Sequence, residues 1–401
     1  MTDKATGPLR GLKIVDISTV VAGPFAAGLL GDYGAEVVKV EMPGAGDSLR
    51  ALAPHKDGKP LWWKVTNRNK RGITLDLRQA AGRDLFGRLI ADADVLVENF
   101  RPGTLDGWGI TRAWLQEINP RLTILRVTGF GQDGPYRDRP GFARIFEAMS
   151  GFTQICGEED GRPLHLGYPI SDAVAGLFGA LGILAALHDL ARNPERRGQE
   201  IDCSATEAML RTLEFLAIEY DQLGAVRTRS GNRSQYAAPG NVYRTADGKW
   251  ASIAASTQSI FARLCTALDL QYLLQDPRFA TNPARVANHR ALDEIVGTAL
   301  GKLTLADLRE TFARHEVGFS PIYDIADVFD DPQIQAREAI VSVPDSELGS
   351  VRMQGVVPRF SETPGQVWRA GPTIGEHNDE IYGALGLSAT EIAALRARKV
   401  I

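Results

Sequence analysis

Short apolar runs and stretches of helical periodicity alternate through the first 130 residues. Leu12–Ile17 is apolar enough for a strand, and Phe25–Asp32 follows as a short helix after the turn Ala22-Gly23-Pro24. Glu36–Glu41, which alternates around Val37, Val38 and Val40, is the next strand. Together these make a βαβ unit of ordinary length. A strand is predicted at Ile73–Leu77, a helix at Ala80–Ala91, and strands at Asp94–Glu98 and Leu122–Thr128. Alternation of this kind predicts an α/β sheet with helices on both faces.

The pattern then changes. Ala173–His188 is apolar nearly all round and predicts a buried helix. Ala205–Leu223 is a helix with Ser204 placed as its cap. Arg227–Gly240 is polar and reads as an exposed loop. Tyr243–Ala254 predicts a hairpin turning at Ala246-Asp247-Gly248-Lys249, helices dominate from Ser259 to Glu316, and strands return over Ile340–Val357. Leu387–Arg398 closes with an amphipathic helix whose Ser388 and Glu391 have capping-box spacing. These changes place the first part of a large domain at 1–214, a smaller domain at 215–325, and a segment returning to the large domain at 326–401.

At 401 residues the chain is long enough for two domains. Its 44% hydrophobic and 23% charged residues are ordinary for a globular protein. A net charge of −4 argues against a nucleic-acid surface, which needs a basic footprint. Cys156, Cys203 and Cys265 are few and far apart, which fits a reducing cytoplasm rather than a disulfide framework. No Cys/His cluster has metal-site spacing. The polar start, Met1 to Pro8, has no signal-peptide core. The run Ala173–Leu187 is short and glycine-containing for a membrane span.

Several positions can carry chemistry. The first turn offers one glycine, in Thr19-Val-Val-Ala-Gly-Pro24, where a dinucleotide fingerprint has three. A nicotinamide dehydrogenase is therefore the weakest reading, although Glu41 sits where a ribose-binding acid would. Arg68, Lys70 and Arg71 form a compact basic turn that, with Arg78, can be a solvated face or a phosphate site. Glu98-Asn99-Phe100-Arg101 follows a strand at the edge where open α/β sheets bind ligands; it can equally be a plain junction. Asp172 precedes the long apolar run. It is either a helix cap or a nucleophile kept ionised by the positive end of the helix, and the two roles are compatible.

Taken together, these stretches resemble the class III CoA-transferases, the formyl-CoA transferase and carnitine CoA-transferase (CaiB/BaiF-like) family. The matching blocks are Pro8-Leu-Arg-Gly-Leu-Lys-Ile-Val-Asp16, Val21-Ala-Gly-Pro24, Gly34-Ala-Glu-Val-Val-Lys-Val-Glu41, Asn69-Lys70-Arg71 and Val97-Glu-Asn-Phe-Arg-Pro-Gly103. Gly129-Phe-Gly-Gln-Asp-Gly-Pro135, Ser150-Gly151, Ser171-Asp172, Gly198-Gln-Glu-Ile-Asp202 and Gly375-Glu376-His377-Asn378 continue the match. The resemblance implies a Rossmann-like large domain, a smaller α/β domain and an interlocked homodimer. It implies transfer of CoA from an acyl-CoA donor such as succinyl-CoA to a small organic acid, through aspartyl mixed-anhydride and aspartyl-CoA intermediates on Asp172. CoA contacts would fall on Val21, Ala22, Leu75, Arg78, Asn99, Phe100 and Arg101. Acyl-CoA would be a substrate, with no prosthetic group, metal, nucleic acid or membrane partner.

Three departures from the family pattern stand out. Phe142-Ala143, followed by Arg144, replaces an aromatic-acidic pair. Met42 stands where an arginine is common, and Ala254-Ala255-Ser256-Thr257-Gln258 replaces a glycine-rich loop, which argues against formyl-CoA:oxalate chemistry. Arg144, with Arg50 as a partner, can bind the distal carboxylate of a dicarboxylic acid; the alternative is a surface or interface salt bridge. One other reading shares the fold, and a third is of another class. An acyl-CoA racemase needs a histidine where Phe142-Ala143 stands, and neither side chain moves protons. A silent CoA-binding protein would have no use for Asp172.

Overall fold

The computed structural model describes residues 7–401. The polar start read above as lacking a leader falls partly on residues 1–6, outside the described residues. By internal packing the chain divides into two compact units. One takes in 7–152, His165–Gln222 and Gln333–Ile401, and the other Thr153–Leu164 and Leu223–Pro332.

The first unit is built on six parallel strands: β1 Lys13–Asp16, β2 Glu36–Glu41, β3 Lys70–Thr74, β4 Val95–Glu98, β5 Thr123–Thr128 and β6 Glu200–Ser204. Their order across the sheet is β3-β2-β1-β4-β5-β6. Val15 of β1 pairs with Val38 on one side and with Leu96 on the other. The order therefore reverses between β1 and β4, and a crevice opens there at the carboxyl ends of the strands.

Both faces of the sheet are covered, as a parallel sheet requires. On one face Val15 and Leu96 pack with Leu85, Phe86 and Ile90 of the helix Ala80–Ala91 and with Ile381 and Ile392 from the C-terminal segment. On the other, Ile14, Val95 and Val97 meet the helices Ala22–Asp32 (α1) and Ile170–Arg192 (α2). Small residues let α1, α2 and the sheet approach closely. A Cβ on Gly176 would lie 2.8 Å from Phe25 Cδ1, and one on Gly179 would lie 2.8 Å from Leu125 Cδ2.

Most elements fall where the periodicity puts them, with instructive shifts. α2 begins at Ile170, directly after Pro169, and runs 23 residues to Arg192, longer at both ends than its apolar stretch. By length and composition alone it could cross a membrane, contrary to the sequence reading, while its glycine and alanine face packs on the sheet. The helix expected over Ala205–Leu223 is two, Ala205–Thr212 and Glu214–Leu223. Ser204 caps the first, and Ser388 and Glu391 form the expected capping box. The strand expected at Ile73–Leu77 is Lys70–Thr74, so two residues read as a basic turn lie in the sheet.

The second unit has a three-stranded antiparallel sheet of Gly240–Arg244, Trp250–Ala254 and Phe319–Pro321. Helices Gln258–Ala267, His289–Leu300 and Leu305–Arg314 share a core of Phe261, Leu264, Val296, Leu308 and Phe312.

Candidate active site

The turn after β1 lies at the reversal point. Asn99, just beyond β4, grips it from one side: its Oδ1 accepts from Thr19 N at 2.7 Å and its Nδ2 donates to Thr19 O at 2.7 Å. Two cavities flank this turn, and Thr19 lines both.

The first, about 230 Å³, is walled by Ile17, Val40, Met42, Leu75, Leu77, Phe100 and Trp108, with Glu41, Asp47 and Arg78 at its polar edge. Phe100 and Trp108 meet edge to face with centroids 5.2 Å apart. An apolar slot with a cation at its rim suits a flat base carrying phosphates.

The second, about 160 Å³, is lined by Thr19, Val20, Val21, Ala22, Asn99, Phe142, Phe146 and Asp172, among others. Asp172 sits in the first turn of α2, but the helix is capped at Pro169 without a side-chain bond, so the capping role is not realised. Its carboxylate makes no hydrogen bond or ion pair within the described residues. Ser171 Oγ donates to Ala143 O at 3.0 Å and ties the start of α2 to the helix Ala143–Met149. Burial, with the nearby Glu147 charge, pushes the Asp172 carboxyl up to about 7. That reverses the expectation that the helix end would hold it low: the positive end of a helix does not offset lost solvation and a like charge. Glu147 is fully buried, with Oε2 on His165 Nδ1 at 2.9 Å and Oε1 unpartnered.

Of the expected CoA contacts, Leu75, Arg78 and Phe100 line the first cavity, and Val21, Ala22 and Asn99 the second. Arg101 is exposed and lines neither. Arg78 is engaged by Asp76, with Nε 2.8 Å from Oδ1, at an exposed position. Three basic candidates are committed elsewhere. Arg68 pairs with Asp32, Arg71 with Glu36 and Glu380, and Lys70 is fully buried against Asp16 at 2.8 Å. Loss of solvent pulls the Lys70 ammonium down to about 8 in spite of Asp16. Arg50 is also occupied. It forks onto Glu41 at 2.7 and 2.8 Å, donates to Pro372 O, and stacks 3.7 Å from the centre of the Trp63 ring, so it has no free fork for a substrate carboxylate. This also fixes Glu41 as a structural acid rather than a ribose ligand. Arg144 is exposed and makes no ion pair among the described residues. No group of three His, Cys, Asp or Glu side chains among the described residues is gathered for a metal ion.

Sequence reasoning missed Glu147, His165 and Asp47. Glu147 alone had a signal, a lone acid between Phe146 and Ala148 just ahead of Ser150-Gly151.

The family model described as CoA-transferase family III matches residues 9–378. The chain is 43% identical over 396 residues to the succinyl-CoA–D-citramalate CoA-transferase of Chloroflexus aurantiacus, covering 98% of each protein. The chain belongs to CoA-transferase family III. Another relative within it is the beta subunit of the succinyl-CoA–L-malate CoA-transferase of the same organism, 41% identical over 401 residues, with 99% of this chain and 98% of that one covered. Among solved structures, a CaiB/BaiF family protein from Brucella suis superimposes with a TM-score of 0.85 at 35% identity, over 95% of this chain and all of that one. The protein is thus a class III CoA-transferase with the mixed α/β architecture and central parallel sheet of its family.

Proposed function

We propose that this CoA-transferase moves CoA from succinyl-CoA to a short dicarboxylic acid, with Asp172 as the covalent relay. The observation that carries the reading is an unpartnered carboxylate in the wall of the second cavity, which shares Thr19 with the apolar first cavity. On this reading the CoA tail lies in the first cavity, over Leu75, Phe100 and Arg78 with Arg101 outside it, and the thioester reaches past Thr19 to Asp172.

The Asp172 carboxylate attacks the thioester carbonyl, the C–S bond breaks, and CoA thiolate leaves a succinyl-aspartyl anhydride. The thiolate then attacks the aspartyl carbonyl and expels succinate, leaving an aspartyl-CoA thioester. The acceptor carboxylate attacks that carbonyl, the thiolate leaves again, and its attack on the acceptor's carbonyl releases the new thioester and restores Asp172. No net proton is consumed. Each step exchanges one activated acyl group for another, which is what a covalent relay achieves.

The names of the relatives, with citramalate and malate as acids, support a dicarboxylate acceptor. Arg144, exposed and unpaired two residues after Phe142 of the cavity wall, is the cation for its distal carboxylate. The functional assembly is an interlocked homodimer acting in the cytoplasm. Leu177, Leu181 and Leu184 support the dimer, because they form an exposed apolar row along α2.

Intact-protein mass spectrometry after incubation with succinyl-CoA, with hydroxylamine or borohydride trapping, tests the relay. An adduct on the wild type that maps to Asp172 and is absent from Asp172→Ala is expected. An adduct that survives in Asp172→Ala would sink the assignment. In the same assay Arg144→Ala should load from succinyl-CoA normally and discharge onto malate more slowly.

A further inference from the structure

Val20 adopts φ +65°, the only β-branched residue among those described with a left-handed backbone. Branched side chains avoid this region because Cβ crowds the following carbonyl, so something must impose it. Every backbone polar group from Ser18 N to Val20 N is engaged. Ser18 N donates to Asp16 Oδ1 at 3.0 Å, Ser18 O accepts from Lys39 Nζ, and Asn99 holds both sides of Thr19. Val20 N donates to the Asp47 carboxylate, at 3.0 Å to Oδ1 and 3.3 Å to Oδ2.

Asp47 is itself anchored. Its N–H donates to Glu41 Oε2 at 2.9 Å, its Oδ1 caps the short helical turn at Leu49, and Lys39 Nζ lies 3.4 Å from Oδ2. The Asp47 and Lys39 side chains have no solvent exposure. Glycine would adopt this turn without strain. The chain instead uses valine and several buried charges, and the valine lines the Asp172 cavity. Strain retained against that much surrounding structure marks a functional constraint.

We propose that Asp47, backed by Lys39, is a positioning residue: it clamps Val20 in the left-handed turn and so sets the Thr19–Ala22 wall between the two cavities, against which the CoA thioester is aligned with Asp172. This rests on the reading that the cavities take a CoA thioester. It makes Asp47 a determinant of substrate alignment with no contact to the reacting atoms.

A mutant cycle tests it, read as the Kd of free CoA by calorimetry and as kcat/KM with succinyl-CoA, beside melting temperature. Asp47→Ala should weaken CoA binding and lower kcat/KM about tenfold or more. Adding Val20→Gly should recover at least about threefold of both, since glycine adopts the turn without the clamp. Asp47→Asn, which keeps an acceptor for the Val20 N–H, should fall between. If Asp47→Ala does not fold, the charge-neutral pair Asp47→Leu/Lys39→Met removes the clamp without stranding a buried cation and is read the same way. A lower melting temperature with Kd and kcat/KM unchanged would overturn the proposal, and so would a double mutant no better than Asp47→Ala. A wild type that neither binds CoA nor transfers it would instead defeat the underlying reading.

Discussion

As the proposed nucleophile Asp172 has to be ionised to attack, and it is housed where ionisation is costly. Its carboxyl titrates near 7 through burial first and Glu147 second. The acid limb of kcat/KM is therefore expected near pH 7, far above an ordinary carboxylate. Glu147→Gln, which deletes the like charge, should move that limb to lower pH; a limb that stays in place would show that Glu147 does not act on Asp172. The same shift has a sign for stability. A carboxyl whose pKa is higher folded than unfolded binds a proton preferentially in the folded state, so its contribution is lost as pH rises from about 4 to 7. Asp172→Asn should therefore be more stable than wild type at pH 8, by about 1–3 kcal/mol for a half-buried group, with the gain shrinking towards pH 5 in thermal melts.

α2 shows how an element sets a site. It places Asp172 because its glycine face lets it lie against α1 and β5. A Cβ at position 176 would meet Phe25 Cδ1 at 2.8 Å and the Ala22 carbonyl oxygen at 2.9 Å, and the latter is backbone and cannot turn aside. Gly176→Ala should cost about 1–3 kcal/mol in denaturant unfolding even though alanine favours helix. Gly383→Ala, in the helix Asn378–Ala384 with open space around it, should gain about 0.5–1 kcal/mol. The helices and inner strands were legible because apolar spacing reports burial directly. Glu200–Ser204 was not read as a strand because an edge strand alternates polar residues, here Glu200 and Asp202, with few apolar ones. Lys70 was misread because its buried ammonium is held by Asp16 and by the Pro24 carbonyl, 54 and 46 residues away, as well as by Asn67, and no local pattern shows that. The place of Asp172 at the start of the long buried helix was legible from its motif block. The left-handed Val20 was not, since a backbone angle held by a distant carboxylate leaves no periodicity.

For the whole molecule, the row Leu177, Leu181, Leu184 is the test of assembly. These side chains are 54%, 61% and 40% exposed on a helix whose other face is packed on the sheet. Light scattering on the wild type should give about twice the 43.5 kDa chain mass, and Leu177→Lys/Leu181→Lys should lower it or block soluble assembly. An unchanged mass would place the interface elsewhere.

The four charges around the turn, Asp16, Lys39, Asp47 and Lys70, share no surface with the solvent. Mobile ions cannot reach them, whereas Arg78 and Arg101 stand in the ionic atmosphere outside. Under the proposed CoA seat, raising ionic strength should therefore act on the two ends of the substrate unequally. It should loosen the grip on the polyanionic tail and leave the alignment of the reactive end as it was, so that salt controls capture rather than chemistry.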